Sequence, residues 1–188
     1  MEAVEMVLSG KINPALVRGL LKAGRKAFGF SGVNGRLFDC VEENPKLGLV
    51  GKVRKVDVAP IQRLLADGFV PVISPVGLLE NLQPCNVNAD LATARIATDL
   101  KATRLLFLTD KDGILDAGGQ AMMRLSADTL RDLAKSEVVS GGMRVKARAI
   151  LEVLDSNPGC HVEVMNGLDP KVLAAALSGE SKGTRITG

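Results

Sequence analysis

Short strand-like and helix-like segments alternate along this 188-residue sequence, and that alternation constrains its fold more than any other feature. The apolar run "TRLLFLTD" at 103–110 is typical of a buried strand, and "CHVEVMNG" at 160–167 alternates as a strand does. Between them, 126–136 and 141–157 have the apolar spacing of helices. Strands separated by helices pair in parallel and need cover on both faces. The sequence therefore predicts an α/β domain with a mainly parallel sheet.

Residues with strong positional preferences predict where several elements begin and end. Ser126 and the pair Asp169-Pro170 are expected to begin helices, and Asn13-Pro14 is expected to do the same with Asn13 as the cap. The basic stretch "GKVRKV" at 51–56 is expected to be a solvated strand edge. The stretch "GTRITG" at 183–188 is expected to form an edge strand.

Charge, apolar runs and cysteine content argue against several classes of partner. The chain has 24 basic and 21 acidic residues, a net charge of +3, and its basic stretch is too short to indicate a nucleic-acid surface. No apolar run approaches the roughly 20 residues of a membrane span, so no membrane association is expected. Cys40, Cys85 and Cys160 are isolated, which fits reduced, buried thiols in a cytoplasmic protein. His161 is the single histidine, so neither a histidine relay nor a metal site is expected.

A polar stretch precedes the predicted helix that begins near residue 90. In "NVNAD", Asn86 and Asn88 alternate with apolar residues, and Asp90 falls at or near the helix start. In an open α/β sheet, ligands bind beyond the carboxyl ends of the strands, in the loops that lead to the next helices. The two amides and the carboxylate are therefore candidate ligand-binding groups.

Two further stretches lie in comparable loops. In "LTDKDGIL", Thr109 and Asp110 end a buried strand and Gly113 permits a tight turn. In "SGGMRVK", the pair Gly141-Gly142 lets backbone amides approach an anion, and Lys146 lies one turn into the following helix. Amides, acids and a lysine at one sheet edge predict a phosphate site.

Each of these stretches also has a purely structural interpretation. Asp90 alone is as readily a helix cap, and the pair Thr109-Asp110 is more commonly a strand-ending turn. The glycine pair 141–142 is then a flexible connection and Lys146 a solvated surface lysine. Neither glycine stretch matches GxxxxGK[ST] or GxGxxG, so the convergence of the three stretches carries the prediction.

Four motifs, in this order, resemble the acetylglutamate kinase branch of the amino-acid kinase family: "NVNAD", "FLTDKDGI", "GGMRVK" and "GTRI". The stretches "FSGVNGRLF", "LGLVGKV" and "GFVPVISPVG" resemble the same branch, so the match covers essentially the whole chain. The resemblance implies a three-layer αβα sandwich. It also implies ATP-dependent phosphorylation of the side-chain carboxylate of N-acetylglutamate in arginine biosynthesis, with Mg²⁺ accompanying ATP.

The same resemblance implies roles for individual residues. Asn86 would contact the backbone substituents of acetylglutamate, with Asn88 supporting that end of the site. Asp90 would orient catalytic lysines, and Lys146 would stabilise the transferring phosphoryl group. The implied nucleotide-binding residues are Thr109, Asp110, Lys111, Asp112, Gly113, Ile114, Leu115, Ser140, Gly141, Gly142 and Met143.

Three family motifs do not occur in this sequence: a Lys-x-Gly-Gly loop, a second glycine loop, and a Gly-Leu-Arg segment whose arginine holds the acceptor carboxylate. We therefore expect one amino-acid kinase-like domain, truncated at its amino terminus. About 1–80 would be the remainder of an acceptor lobe and about 81–188 a nucleotide-binding lobe. Losing a phosphate-binding lysine costs a few kcal/mol, about a thousandfold in rate, so weak or absent activity is expected for this chain alone.

Two alternatives remain open beside the acetylglutamate kinase. One is a kinase for a carrier-linked aminoadipate, which the motifs fit less well. The other is a nucleotide-binding module without catalysis, which the missing lysine and arginine favour. By analogy with the family, a homo-oligomer is expected.

Overall fold

The computed structural model describes residues 1–136, 141–180 and 182–188. Within them the chain divides into two compact units, Met1–Asp99 and Leu100–Gly188. The first unit contains helices α1 (Glu2–Glu5), α2 (Asn13–Lys22), α3 (Ala59–Ala66) and α4 (Ala89–Asp99). Its strands are β1 (Ala27–Ser31), β2 (Phe38–Glu42), β3 (Val50–Val56), β4 (Val70–Ser74), β5 (Val76–Leu78) and β6 (Pro84–Val87).

Asn13 is the first residue of α2, so the expected helix start is confirmed, but Asn13 does not cap that helix and the predicted cap is wrong. A π-helical stretch, Met6–Ile12, joins α1 to α2, and the backbone of Asn13 is itself helical (φ −54°). Its buried side-chain amide lies 3.1 Å from the carbonyl oxygen of Phe30 and 2.9 Å from that of Val72, and donates to both. The amide therefore fastens α2 to β1 and β4, because it serves carbonyl groups of these two strands rather than the helix start.

The strands of the first unit form two assemblies. β1 and β4 pair in parallel as a two-stranded sheet, while the other four strands close on one another in the order β2-β3-β6-β5. β3 pairs with β2 on one side and β6 on the other, so the expectation that 51–56 is a strand edge is wrong. Its basic side chains are nevertheless exposed, as predicted for a solvated surface.

Two buried thiols fill the closed four-stranded ring. Cys40 and Cys85 are fully buried, and a Cβ at Gly51 would collide with the sulfur of Cys85. A Cβ at Gly77 would likewise collide with the sulfur of Cys40. The two glycines therefore make room for the thiols, and the predicted burial of the cysteines is confirmed here.

The described residues of the second unit form one four-stranded sheet with three helices. Its strands are β7 (Arg104–Thr109), β8 (Arg124–Ser126), β9 (His161–Asn166) and β10 (Thr184–Thr187), in the order β7-β9-β10-β8. Its helices are α5 (Ala127–Lys135), α6 (Gly141–Ser156) and α7 (Pro170–Leu177). Ser126 caps α5 by accepting from Thr129 N at 3.1 Å, and Asp169 caps α7 by accepting from Lys171 N at 2.8 Å. Both predicted helix starts are confirmed.

The expectation that 183–188 forms an edge strand is wrong. β10 lies inside the sheet, antiparallel to β9 and parallel to β8, and Thr184 and Ile186 are fully buried. The sheet edge is instead β8, a strand of three residues that is too short to show a period in the sequence.

The predicted α/β class with mainly parallel pairing is confirmed. Five of the eight strand pairings in the described part of the chain are parallel. None of the helices within the described ranges combines the length and the apolar character that crossing a membrane requires.

Candidate functional site

The predicted site residues of the first unit lie where β6 leads into α4. The backbone N–H of Asn86 donates to the carbonyl of Leu49 at 2.8 Å, and its side chain is half-buried. No hydrogen bond joins the Asn86 side-chain amide to another of the described residues, so both its donor and its acceptor are available to a ligand.

Asn88, rather than Asp90, is the cap of α4. Its side-chain oxygen accepts from Asp90 N at 3.0 Å and from Leu91 N at 3.2 Å. The structural interpretation of Asp90 as the cap is therefore wrong, and its carboxylate lies in the first helical turn. The positive end of the helix dipole favours a negative charge at this place.

In the second unit, β7 and β9 end side by side, which brings two polar residues together. Thr109 is the register partner of Asn166, and Gly167 N donates to the carbonyl of Thr109 at 2.8 Å. The side-chain amide of Asn166 donates to Asp112 at 2.9 Å and so holds the loop after β7. The sequence reasoning missed Asn166, although it ends a parallel strand just as Thr109 does.

Thr184 fastens the far end of the same loop. Ile114 N donates to the Thr184 hydroxyl at 2.8 Å, and both residues are fully buried. A Cβ at Gly113 would collide with that hydroxyl, so glycine permits the close approach. A hydrogen bond therefore joins the "GTRI" motif to the "TDKDGI" motif in the folded protein.

Before these two contacts in the chain, the loop presents polar residues to solvent. The side chains of Asp110 and Lys111 are 67% and 56% exposed, and their charged groups lie 3.7 Å apart. Beyond them, Leu115 forms an isolated bridge with Ala121, which closes the loop. The exposed groups are therefore accessible to a ligand, while Gly113 and Ile114 are buried.

Lys146 is buried rather than solvated, so the interpretation of a surface lysine is wrong. It lies in the second turn of α6 with 8% of its surface exposed, and its Nζ is 4.8 Å from the centroid of the Phe107 ring. Gly141 has a φ of +54°, which favours glycine, and its Cβ position is open. Gly142 and Met143 follow in the first turn, and Ser140 lies outside the described residues.

Acidic, cysteine and histidine side chains do not gather into a metal site in the ranges that the structure describes. The ligands that could meet an anion are instead the backbone N–H groups at the start of α6, together with Lys146. This chemistry suits a phosphate, because N–H donors and an ammonium stabilise spread negative charge.

A family model identifies the wider relationship. The model for the amino acid kinase family matches residues 1–166. The chain therefore belongs to the amino acid kinase family.

Individual relatives align with nearly the whole of this chain. The chain is 38% identical over 188 residues to an acetylglutamate kinase of Cereibacter sphaeroides, covering 98% of this chain and 64% of the relative. It is 37% identical to an acetylglutamate kinase of Kosmotoga olearia, covering 99% of this chain and 66% of the relative. The chain thus spans about two thirds of the length of these curated relatives.

A solved structure shows the same fold. The structure of smu.665 from Streptococcus mutans superposes with a TM-score of 0.83 at 20% identity, covering 97% of this chain and 69% of that one. The predicted amino-acid kinase-like α/β sandwich is confirmed by this similarity.

Proposed function

We propose that this chain carries out, or contributes the nucleotide half of, ATP-dependent phosphorylation of the side-chain carboxylate of N-acetylglutamate. The observation that carries the proposal is the buried Lys146 in the second turn of α6, the helix that begins with the glycine pair 141–142. A lysine and helix N–H groups at one place are what phosphoryl transfer needs, because charge spreads over the oxygens of the moving group. The similarity to acetylglutamate kinases supplies the acceptor.

In this reaction an oxygen of the acceptor carboxylate attacks the γ-phosphorus of ATP. The bond between that phosphorus and the bridging oxygen breaks, so ADP leaves and an acyl phosphate forms. Mg²⁺ enters with ATP as part of the substrate. Lys146 would stabilise the moving group, and the helix start at Gly142 and Met143 would bind phosphate oxygens.

The loop from Thr109 to Leu115 would lie along the nucleotide. Its hydrogen bonds to Asn166 at Asp112 and to Thr184 at Ile114 support this role, because they restrict the conformations of the loop. Asn86 would contact the acetylglutamate substituents, Asn88 would hold the helix start beside them, and Asp90 would orient catalytic lysines. We assign the acceptor role to the first unit and the nucleotide role to the second.

The test is ADP release from MgATP with and without N-acetylglutamate, in the chain and in its Lys146→Ala and Asp90→Asn variants. Lys171→Ala, at an exposed lysine of α7, is the matched control. We expect slow acceptor-dependent release that both site variants abolish and the control retains. Release that survives Lys146→Ala would contradict the proposal.

A second candidate is a nucleotide-binding module without catalysis, favoured because the loop from Thr109 to Leu115 and the helix that carries Lys146 both lie in the second unit. Calorimetric binding of ATP with no acceptor-dependent release would support the module, and turnover of N-acetylglutamate would exclude it. Replacing the acceptor by a carrier-linked aminoadipate tests the remaining kinase alternative.

We also propose a cytoplasmic homo-oligomer. Several large apolar side chains of the first unit are exposed, including Leu16, Leu21, Phe28 and Leu65, and apolar surface of this kind is commonly covered by association. Sedimentation at several protein concentrations tests the assembly, and a monomer throughout would contradict it.

A further inference from the structure

The aromatic ring against Lys146 has no role in the proposed function as described so far. Phe107 lies in β7 and is 3% exposed. The 4.8 Å between the lysine Nζ and its ring centroid is within the roughly 6 Å over which an ammonium is attracted to an aromatic face. The two side chains therefore form a buried cation–π contact.

The Phe107 ring attracts the Lys146 ammonium electrostatically, which an aliphatic side chain of similar size would not do. The face of an aromatic ring carries partial negative charge, and this attraction strengthens when water is excluded. A leucine at 107 would fill much of the same volume without attracting the cation. The contact therefore favours one position of the lysine head group among those its flexible stem permits.

The ring is itself held in a defined place. Phe107 is the register partner of Val164 in β9, which lies inside the sheet and is fully buried. It precedes Thr109 by two residues, which is about 7 Å along a strand. The ring thus fixes the ammonium a short distance below the strand end where the loop from Thr109 to Leu115 begins.

We propose that Phe107 is a positioning residue that holds the Lys146 ammonium against its ring face before a nucleotide binds. The contact belongs to the free protein, and its effect on phosphoryl transfer rests on the proposed function. With the ammonium already in place, less conformational freedom of the lysine is lost when phosphate arrives.

The test reduces the partial negative charge on the face of the Phe107 ring with little change in the size of the side chain. Phenylalanine at 107 is replaced site-specifically by its 4-fluoro, 3,5-difluoro and pentafluoro analogues, which withdraw electron density from the ring face in that order. The rate at which an acetylating N-hydroxysuccinimide ester modifies Lys146 is measured by peptide mass spectrometry in the folded protein without nucleotide. Lys171, exposed in the same unit, is the internal control.

We expect Lys146 to react faster with each added fluorine, by on the order of tenfold over the series, while Lys171 stays constant. Phe107→Leu should match the pentafluoro protein, with circular dichroism confirming its fold. Equal rates of Lys146 modification across the fluorinated series would overturn the proposal, because a ring that only fills space is insensitive to its charge distribution.

Turnover distinguishes this proposal from the proposed function. In a working kinase, kcat should fall along the series by about the same factor as the labelling rate rises, with the KM for ATP within twofold. A graded labelling rate without any turnover upholds the contact and counts against the kinase. Turnover with a flat labelling rate upholds the kinase and overturns the role of Phe107.

Discussion

The β1–β4 sheet of the first unit and the four-stranded sheet of the second unit are stabilised in different ways. In the second unit, β9 and β10 lie inside a four-stranded sheet, and Val162, Val164 and Ile186 are fully buried. In the first unit, β1 and β4 form a sheet of two strands in which Phe28 and Val70 remain 49% and 38% exposed. Two strands alone are marginally stable, so the first sheet depends on ties such as the Asn13 amide. The proposed nucleotide loop thus extends from strands of a buried core, whereas the β1–β4 sheet relies on its packing against α2 and α3 and on the Asn13 amide.

The largest expected effect is on the core of the second unit. Ile186→Ala removes a fully buried side chain from an inner strand and should cost about 2–5 kcal/mol of unfolding free energy. Val70→Ala, on the half-exposed sheet of the first unit, should cost less than about 1 kcal/mol. Urea unfolding followed by circular dichroism measures both. Similar losses of unfolding free energy in the two variants would contradict the view that the two sheets are stabilised differently.

Asn13→Ala is expected to destabilise the first unit by about 1–3 kcal/mol, because the carbonyl groups of Phe30 and Val72 lose a buried donor. Alanine is a better helix former than asparagine, so helix propensity cannot explain a loss. Hydrogen exchange should speed up in β1 and β4 while β9 keeps its protection. Lys22→Ala, exposed on the same helix, is the control and should leave all three strands unchanged.

Asn88→Ala should cost about 1 kcal/mol through the lost cap of α4, and Asn88→Ser should restore most of it, since serine caps nearly as well. This pair separates two roles of one residue. If Asn88 also contacts the acceptor, the serine variant will regain stability and keep a raised KM for N-acetylglutamate. A KM that recovers together with stability would restrict Asn88 to capping.

The smallest expected effect is on the pH dependence of stability, through an ion pair between Asp39 and Arg54 on strands β2 and β3. The hydrogen bond from Arg54 lowers the pKa of Asp39 in the folded protein. A carboxyl with a lowered folded pKa adds stability above its unfolded value of about 3.9, and that stability is lost as the pH falls through the folded pKa. Asp39→Asn should therefore flatten the acid limb of a stability–pH curve slightly and leave neutral pH little changed. An unaltered acid limb would show that the pair contributes nothing.

Local patterns in the sequence predicted those features of the fold that depend on residues close together in the chain. The alternation of elements, the caps at Ser126 and Asp169, and the helix that carries Lys146 all follow from spacing and end preferences. The contacts that organise the candidate site do not. Ile114 and Thr184 are 70 residues apart, and Asn166 and Asp112 are 54 apart, so no local pattern joins them.

The errors in prediction have the same cause. Asn13 precedes a proline and has the sequence signature of a cap, yet its amide is used by strands that lie far along the chain. The stretch 183–188 lies inside the sheet because β8 pairs with it, and β8 has only three residues, too few to show the alternation by which a strand is predicted. Phe107 looks like any apolar strand residue until Lys146 is placed over its ring.

The burial of all three cysteines has a practical consequence for labelling the protein with spectroscopic probes. Cys40, Cys85 and Cys160 are all buried, the hydrogen bond with Cys85 together with burial raises the pKa of Cys40, and burial raises that of Cys160. Maleimide reagents attack exposed thiolates, so the folded wild-type protein should take up almost no label. An exposed substitution such as Lys171→Cys can then carry a fluorophore or spin label with the native cysteines left in place. The packing of Cys40 and Cys85 inside the closed four-stranded ring is then undisturbed, and the label reports on one chosen position.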